Sequence, residues 1–160
     1  MNRYSLAWVL LIATALAGAQ ASKVQYVSLT EATKVSVARG RTVPVVLTFN
    51  IQPKVHINSN APSSETLIPT ELTLQTPPGL TQGKISFPAG HEFSFPFAPG
   101  EKLSVYTESF QVKVSLQASR AIKPGDYQVT GVLGYQACND NACFPPKKLP
   151  VEFDVVVRAK

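Results

Sequence analysis

The chain carries two cysteines, and both lie in one short segment near its C-terminal end, Tyr135-Gln136-Ala137-Cys138-Asn139-Asp140-Asn141-Ala142-Cys143-Phe144-Pro145-Pro146. Thiol exchange needs a thiolate, access for an incoming sulfur, and a second thiol that resolves the mixed disulfide. A close pair meets the last requirement. Four residues separate Cys138 from Cys143, and Asn139, Asp140 and Asn141 among them are types that turn the backbone back on itself, so the two sulfurs can meet in one small loop. Beyond Cys143, Pro145 and Pro146 fix φ and remove two amide donors, so the chain leaves the loop extended and does not pair there as a central strand. The neighbours activate neither thiol strongly. Asp140 disfavours a thiolate, and Lys147 and Lys148 favour one only if the loop folds back toward them. Weakly acidic thiols whose reactivity depends on a docking partner are the expectation.

The competing reading of the pair is a structural bridge. Closing so small a loop stabilises by about 2 kcal/mol on the chain-entropy relation, less than the roughly 3 kcal/mol of a loop of about 15 residues. Spacing alone does not separate a staple from a reagent. Metal chemistry is less well served. A blue-copper centre wants a Cys, two His and usually an axial Met, but the only methionine is Met1 and neither His56 nor His91 lies near the cysteines in sequence. Two cysteines without two further ligands nearby make a poor zinc site. The histidines read as hydrogen-bonded or surface residues, and neither a nucleophile elbow nor a metalloprotease helix is present. No metal and no cofactor is expected.

The N-terminus bears on redox state. Arg3 precedes an apolar run from Leu6 to Ala17, followed by Ala17-Gly18-Ala19 or Ala19-Gln20-Ala21, the pattern of a secretory leader with a small-residue cleavage site. Residues 1–21 are expected to be a signal peptide cleaved near Ala19 or Ala21, and residues 22–160 one domain in the periplasm or outside the cell, where disulfides persist. The formal charge is +5, falling by one if Arg3 is removed. Its charges are scattered, which excludes a nucleic-acid footprint.

From Lys23 onward, short segments rich in Val, Thr, Tyr and Phe alternate apolar with polar and are punctuated by Pro or Gly. The pattern predicts strands over Lys34–Ala38, Val43–Asn50, Glu71–Gln75, Lys84–Ser86, Phe110–Leu116, Asp126–Gln136 and Val151–Val157. Phe110, Val112, Val114 and Leu116 fall on one face. With 13 prolines and no sustained 3.6-residue period, the chain is read as all-β, an immunoglobulin-like antiparallel sandwich. Two stretches read as loops. Residues 56–64 are polar and join one sheet to the other, and residues 93–100 set Phe93, Phe95 and Phe97 beside Pro96 and Pro99. Those rings must cover something, although their alternation is also that of a half-buried strand. Tyr106 and Tyr135 read as core or sheet-surface residues, and Tyr135 is also placed to wall the cysteine site.

The run Tyr135, Gln136, Cys138, Cys143, Phe144, Pro145, Pro146 resembles the cysteine loop of the N-terminal periplasmic domain of the thiol:disulfide interchange protein DsbD. The likeness extends over roughly residues 24 to 157. It departs from the family pattern in having four residues rather than five between the cysteines, and Phe144 in place of Tyr. The resemblance implies an immunoglobulin-like sandwich that passes reducing equivalents between proteins, protein-disulfide-reductase-like if active. It implies Cys143 as the thiol of the interprotein mixed disulfide and Cys138 as its resolving partner. It further implies an aromatic shield, for which Phe97 is the first choice, Phe95 the second and Phe93 beside them, and a site wall of Tyr135, Phe144 and Pro145. Thioredoxin-like periplasmic proteins are the implied partners. The family's membrane-embedded and thioredoxin-like domains have no counterpart before Lys160, so the expectation is a membrane electron donor in trans. The alternative is a non-enzymatic secreted β-sandwich, an adhesion or assembly module, whose bridge is structural.

Overall fold

The computed structural model describes residues 24–30, 34–95 and 98–160. The expected leader, with its cleavage sites near Ala19 and Ala21, and Phe97 lie outside them. The described chain is all strand, arranged as an immunoglobulin-like antiparallel sandwich with a third, smaller sheet. The first sheet runs β1 (Val27–Leu29), β3 (Thr42–Ile51), β9 (Ser109–Ala118), β6 (Leu80–Ser86), and the second runs β2 (Val35–Ala38), β12 (Lys147–Arg158), β10 (Gly125–Tyr135), β5 (Glu71–Gln75). The third runs β11 (Ala137–Cys138), β4 (His56–Asn58), β8 (Ala98–Thr107), β7 (His91–Phe95). All pairings are antiparallel except β2 with β12.

Alternation explains the two large sheets. In β9 every second residue from Phe110 to Ala118 is buried, and in β12 Val151, Phe153, Val155 and Val157 do the same from the opposite sheet. With Leu47, Phe49, Leu133 and Val129 they make one contiguous core, in which Phe110 stacks between Phe49 at 5.2 Å and Tyr106 at 4.6 Å. Each such side chain, fully buried, contributes about 1.5–3 kcal/mol. Pro150 sits in β12 where only β10 flanks it, because β2 pairs no further back than Val155. A strand flanked on one side only is where proline is tolerated. At Gly131 any Cβ would meet the Thr73 carbonyl oxygen at 2.3 Å, so the approach of β10 to β5 requires glycine there.

The predicted strands are all present, with β6 and β12 longer than expected. The loop reading of residues 56–64 is corrected at its start: His56–Asn58 is a strand buried on both faces, which removes the alternation that would have marked it. The loop reading of residues 93–100 is corrected too, since β7 continues to Phe95 and β8 begins at Ala98. β7 follows the half-buried-strand alternative weighed for Phe93 and Phe95, whereas β1 and β8 lay outside the sequence reading.

Candidate functional site

The third sheet has two unlike faces, and antiparallel register assigns each residue to one of them. Directly opposed residues share a face. Ala137 lies opposite Ile57, which lies opposite Tyr106, and these three are buried in the main core. One step along, Cys138 lies opposite His56, which lies opposite Thr107, and Asn58 lies opposite Val105. These point the other way. There Leu103, Val105 and Cys138 form a second buried cluster, with Leu67 and Phe93 packed against it. The cysteine site is thus built on the back of a small sheet whose front is fused to the sandwich.

Cys138 and Cys143 are bonded, with sulfurs 2.05 Å and Cα atoms 3.9 Å apart. The loop between them is an Asx turn: the Asn139 side-chain oxygen accepts from the amides of Asn141 and Ala142, both at 2.9 Å, and the Asn139 amide donates to the Ala142 carbonyl at 2.9 Å. The Phe144 amide donates back to Ala137 at 2.8 Å. The two sulfur-bearing residues differ in access. Cys138 is fully buried at 0 % exposure, whereas Cys143 is exposed at the loop's outer end.

The exit from the loop is held by stacking and amide contacts. The Phe144 ring stacks on Tyr26 at 4.6 Å and 15°, with the Lys147 ammonium 5.5 Å from the centre of the same Tyr26 ring. Gln136 donates to the Phe144 carbonyl at 3.3 Å and accepts from Asn58 at 3.3 Å. Tyr135 is buried in the main core; its hydroxyl donates to Gln25 at 2.8 Å and accepts from the Tyr26 amide at 3.2 Å. Tyr135 thus reaches the site through Tyr26 and Phe144, and burial pushes its phenol pKa up. Pro145 is exposed.

Of the aromatic residues expected to shield the pair, Phe93 is half-buried, packed against the cysteine cluster and stacked on His56 at 4.8 Å and 27°. Phe95 ends β7 and its side chain is outside the described residues, as is the whole of Phe97. The close approach of Gly90, whose Cβ would meet the Ser104 hydroxyl at 2.3 Å, lets the chain enter β7 against β8.

His56 is the site residue that the sequence reading set aside. It is 3 % exposed, and burial lowers its pKa from 6.5 to about 4, with the Asp140 carboxylate opposing the shift and His91 adding to it. His56, His91, Phe93, Thr107, Glu108 and Asp140 line a cleft of about 720 Å³ that runs up to the cysteine loop. The signal that could have found His56 is strand pairing between β4 and β11, which spans the sequence gap. No group of three or more His, Cys, Asp or Glu among the described residues is placed to hold a metal ion.

Residues 23–154 match the family described as thiol:disulfide interchange protein DsbD, N-terminal. The chain belongs to this family. Among solved structures it is similar to the reduced DsbD N-terminal domain of Neisseria meningitidis, at 25 % identity over 70 % of this chain and 75 % of that one, with a TM-score of 0.41. The same organism's DsbD N-terminal domain in complex with the PilB N-terminal domain gives 24 % identity, 71 % and 80 % coverage and a TM-score of 0.40. The N-terminal periplasmic domain of ScsB from Proteus mirabilis matches at 12 % identity and a TM-score of 0.50, over 79 % of this chain and 44 % of that one. No curated protein sequence matches. Family membership and a bonded cysteine pair together identify a thiol-disulfide interchange module of the DsbD N-terminal type.

Proposed function

We propose that the chain passes reducing equivalents between protein partners through Cys138 and Cys143, with Cys143 carrying the interprotein mixed disulfide and Cys138 resolving it. The observation that carries this reading is the unequal exposure of the two halves of one bridge. An incoming thiolate must approach along the S–S axis, and the sulfur it can reach belongs to the exposed residue. The buried Cys138 then becomes the leaving thiolate, and in the reverse direction it is the internal thiol that recloses the bridge. A cytosol-like reducing pool is not required, because the reading places the mature chain, residues 22–160, in the periplasm or outside the cell.

The partners are thioredoxin-like periplasmic proteins and a membrane electron donor. Family membership supports the first, and the complex of a Neisseria meningitidis DsbD N-terminal domain with a PilB N-terminal domain is the kind of assembly meant. The β7–β8 hairpin serves as the shield. Phe97 and Phe95 are its proposed tip, and the stacking of Phe93 on His56 supports Phe93 as its base. Phe144 and Pro145 form the outer wall, with Tyr135 behind them.

Partner trapping tests the order of attack. Cys138→Ala should accumulate a mixed disulfide through Cys143 with a thioredoxin-like protein; accumulation only with Cys143→Ala would reverse the roles. Equilibration with glutathione separates this function from a structural staple in a non-enzymatic sandwich. An exchange module equilibrates in the range of known dithiol carriers, and a bridge that stays closed far below that range would overturn the proposal.

A further inference from the structure

Scattered along the sequence, the arginines meet in the fold. Beyond Arg3 the chain has four, Arg39, Arg41, Arg120 and Arg158, and backbone hydrogen bonds gather them at one end of the sandwich. The Arg39 amide donates to the Arg158 carbonyl at 3.1 Å, the Gly40 amide to the Ala118 carbonyl at 2.8 Å, and the Ala118 amide to the Arg41 carbonyl at 2.9 Å. The turn from β2 to β3 thereby sits against the ends of β12 and β9. The Arg120 side chain crosses that turn at Gly40, where φ is 72° and an added Cβ would meet the Arg120 Cγ at 2.8 Å. Both the backbone conformation and the crossing therefore require glycine.

All four arginines are exposed, and so is Lys123 on the loop from β9 to β10. Arg39 Nε donates to the Ala159 carbonyl at 3.4 Å. Among the described residues none of these five cations forms an ion pair, and Asp126, near the start of β10, is taken by Lys34 at 3.4 Å. Like charges gathered without partners repel one another, so the stability of the fold does not call for this arrangement.

We propose that this end of the sandwich docks on an anionic lipid surface, with its guanidinium groups on headgroup phosphates. The inference goes beyond the redox reading and does not rest on it. A guanidinium presents a planar fork of donors that matches a phosphate, and each cation near an anionic bilayer strengthens binding about fivefold. A protein partner is less well served, because the centre of a protein interface is apolar. The large exposed apolar side chains, Val24, Val46, Ile68 and Val132, lie elsewhere on the domain. The docking end is also remote from the bridge. β10 runs 11 residues from Gly125 at the arginine end to Tyr135 beside the cysteine loop, about 35 Å at about 3.3 Å per residue. Docked in this way, the domain leaves the exposed Cys143 on the aqueous side.

Sedimentation of the exported chain with vesicles tests this, using phosphatidylcholine mixed with phosphatidylglycerol against phosphatidylcholine alone as background. The chain should follow the charged vesicles and be released at about 1 M salt, where screening reaches about 3 Å. Arg39→Gln with Arg158→Gln should weaken binding about twenty-five-fold, at about fivefold per charge. The charge-matched pair Lys84→Gln with Lys113→Gln, mid-strand on β6 and β9, should weaken it far less. Equal losses in the two pairs would reduce the effect to net charge and overturn the proposal. So would a native chain that ignores the charged vesicles, including one held instead by polyglutamate, which would assign the arginines to an acidic protein. Inorganic phosphate at matched ionic strength should displace the chain no better than chloride; specific displacement would mean a discrete anion site in place of a lipid surface. Orientation has its own readout. Dithiothreitol should reduce the bridge as fast in the vesicle-bound chain as in the free one, and a marked slowing would put the cysteine end on the lipid. A bridge that proves to be a structural staple would defeat the redox reading and leave these outcomes unchanged.

Discussion

The main core and the cysteine cluster are built from opposite faces of the same small sheet, yet they differ in kind. On the front, Ile57, Tyr106 and Ala137 join an interior that is almost wholly apolar and spans both large sheets. On the back, Leu103, Val105 and Cys138 make a cluster too small to hold a fold, and the buried polar residues gather around it. His56, Asn58, Ser59 and Thr70 all belong to β4 or to the segment that follows it. That segment is tied down by polar contacts: Thr70 donates to the Asn58 carbonyl at 2.5 Å, Asn58 donates to Ile68 at 2.9 Å, and the Ser59 and Ser104 hydroxyls meet at 2.8 Å. The difference teaches that stability and reactivity are kept apart. Apolar packing holds the scaffold, and the bridge sits in a region ordered largely by hydrogen bonds.

The largest effect should fall on the main core and leave the chemistry alone. Leu133→Ala or Phe49→Ala removes a side chain with essentially no exposure and should cost about 3–5 kcal/mol. Denaturant unfolding measures this, and the glutathione equilibrium of the folded fraction should not move. A shift of that equilibrium would mean the two regions are coupled through the third sheet.

The front-to-back division also explains what was legible beforehand. Phe110 to Leu116 could be read because one face of β9 is core and the other is solvent. His56–Asn58 could not, since Ile57 enters one core while His56 and Asn58 enter the other, and a strand buried on both sides shows no period of two. The cysteine pair was visible as a pair, with its turn residues and its Phe-Pro-Pro exit. Its asymmetry was not, because only the seating of Cys138 in β11 against β4 buries one cysteine and leaves the other exposed. His56 was set aside for the same reason: the contact that matters is across strands and far apart in sequence.

Acid should separate the two regions next. Folded His56 titrates at about 4 rather than 6.5, so between those values the unfolded chain binds a proton that the folded chain refuses. Its contribution to stability is therefore complete above pH 6.5 and falls as pH drops toward 4, by about 3 kcal/mol in all at about 1.4 kcal/mol per unit. His56→Phe should flatten the stability curve across that window. An unchanged slope would place the acid sensitivity elsewhere.

Removing the bridge should cost less. Cys138→Ala with Cys143→Ala opens a loop of sequence separation 5, for which chain entropy accounts for about 2 kcal/mol. The variant should remain folded, with the main core supplying its stability, and a thermal melt checks this. A collapse of the fold would make the bridge a staple for the whole sandwich and erase the distinction between its two regions.

The smallest effect bears on how the loop is held when no bond crosses it. Asn139 accepts two amide hydrogen bonds inside the loop, and its removal in Asn139→Ala should cost about 1 kcal/mol, since each bond replaces one to water. Because that turn needs no sulfur, it persists in the reduced chain and keeps Cys143 near Cys138. The loss in Asn139→Ala should then fall more heavily on the closed-to-open balance than on global unfolding, lowering the fraction oxidised in a fixed glutathione buffer by several-fold. Asn139→Asp, which retains the acceptor oxygen, should restore it. Should Asn139→Ala instead lower global stability and leave the redox balance untouched, the loop would belong energetically to the scaffold, and the separation between front and back would end at β11 rather than at Cys143.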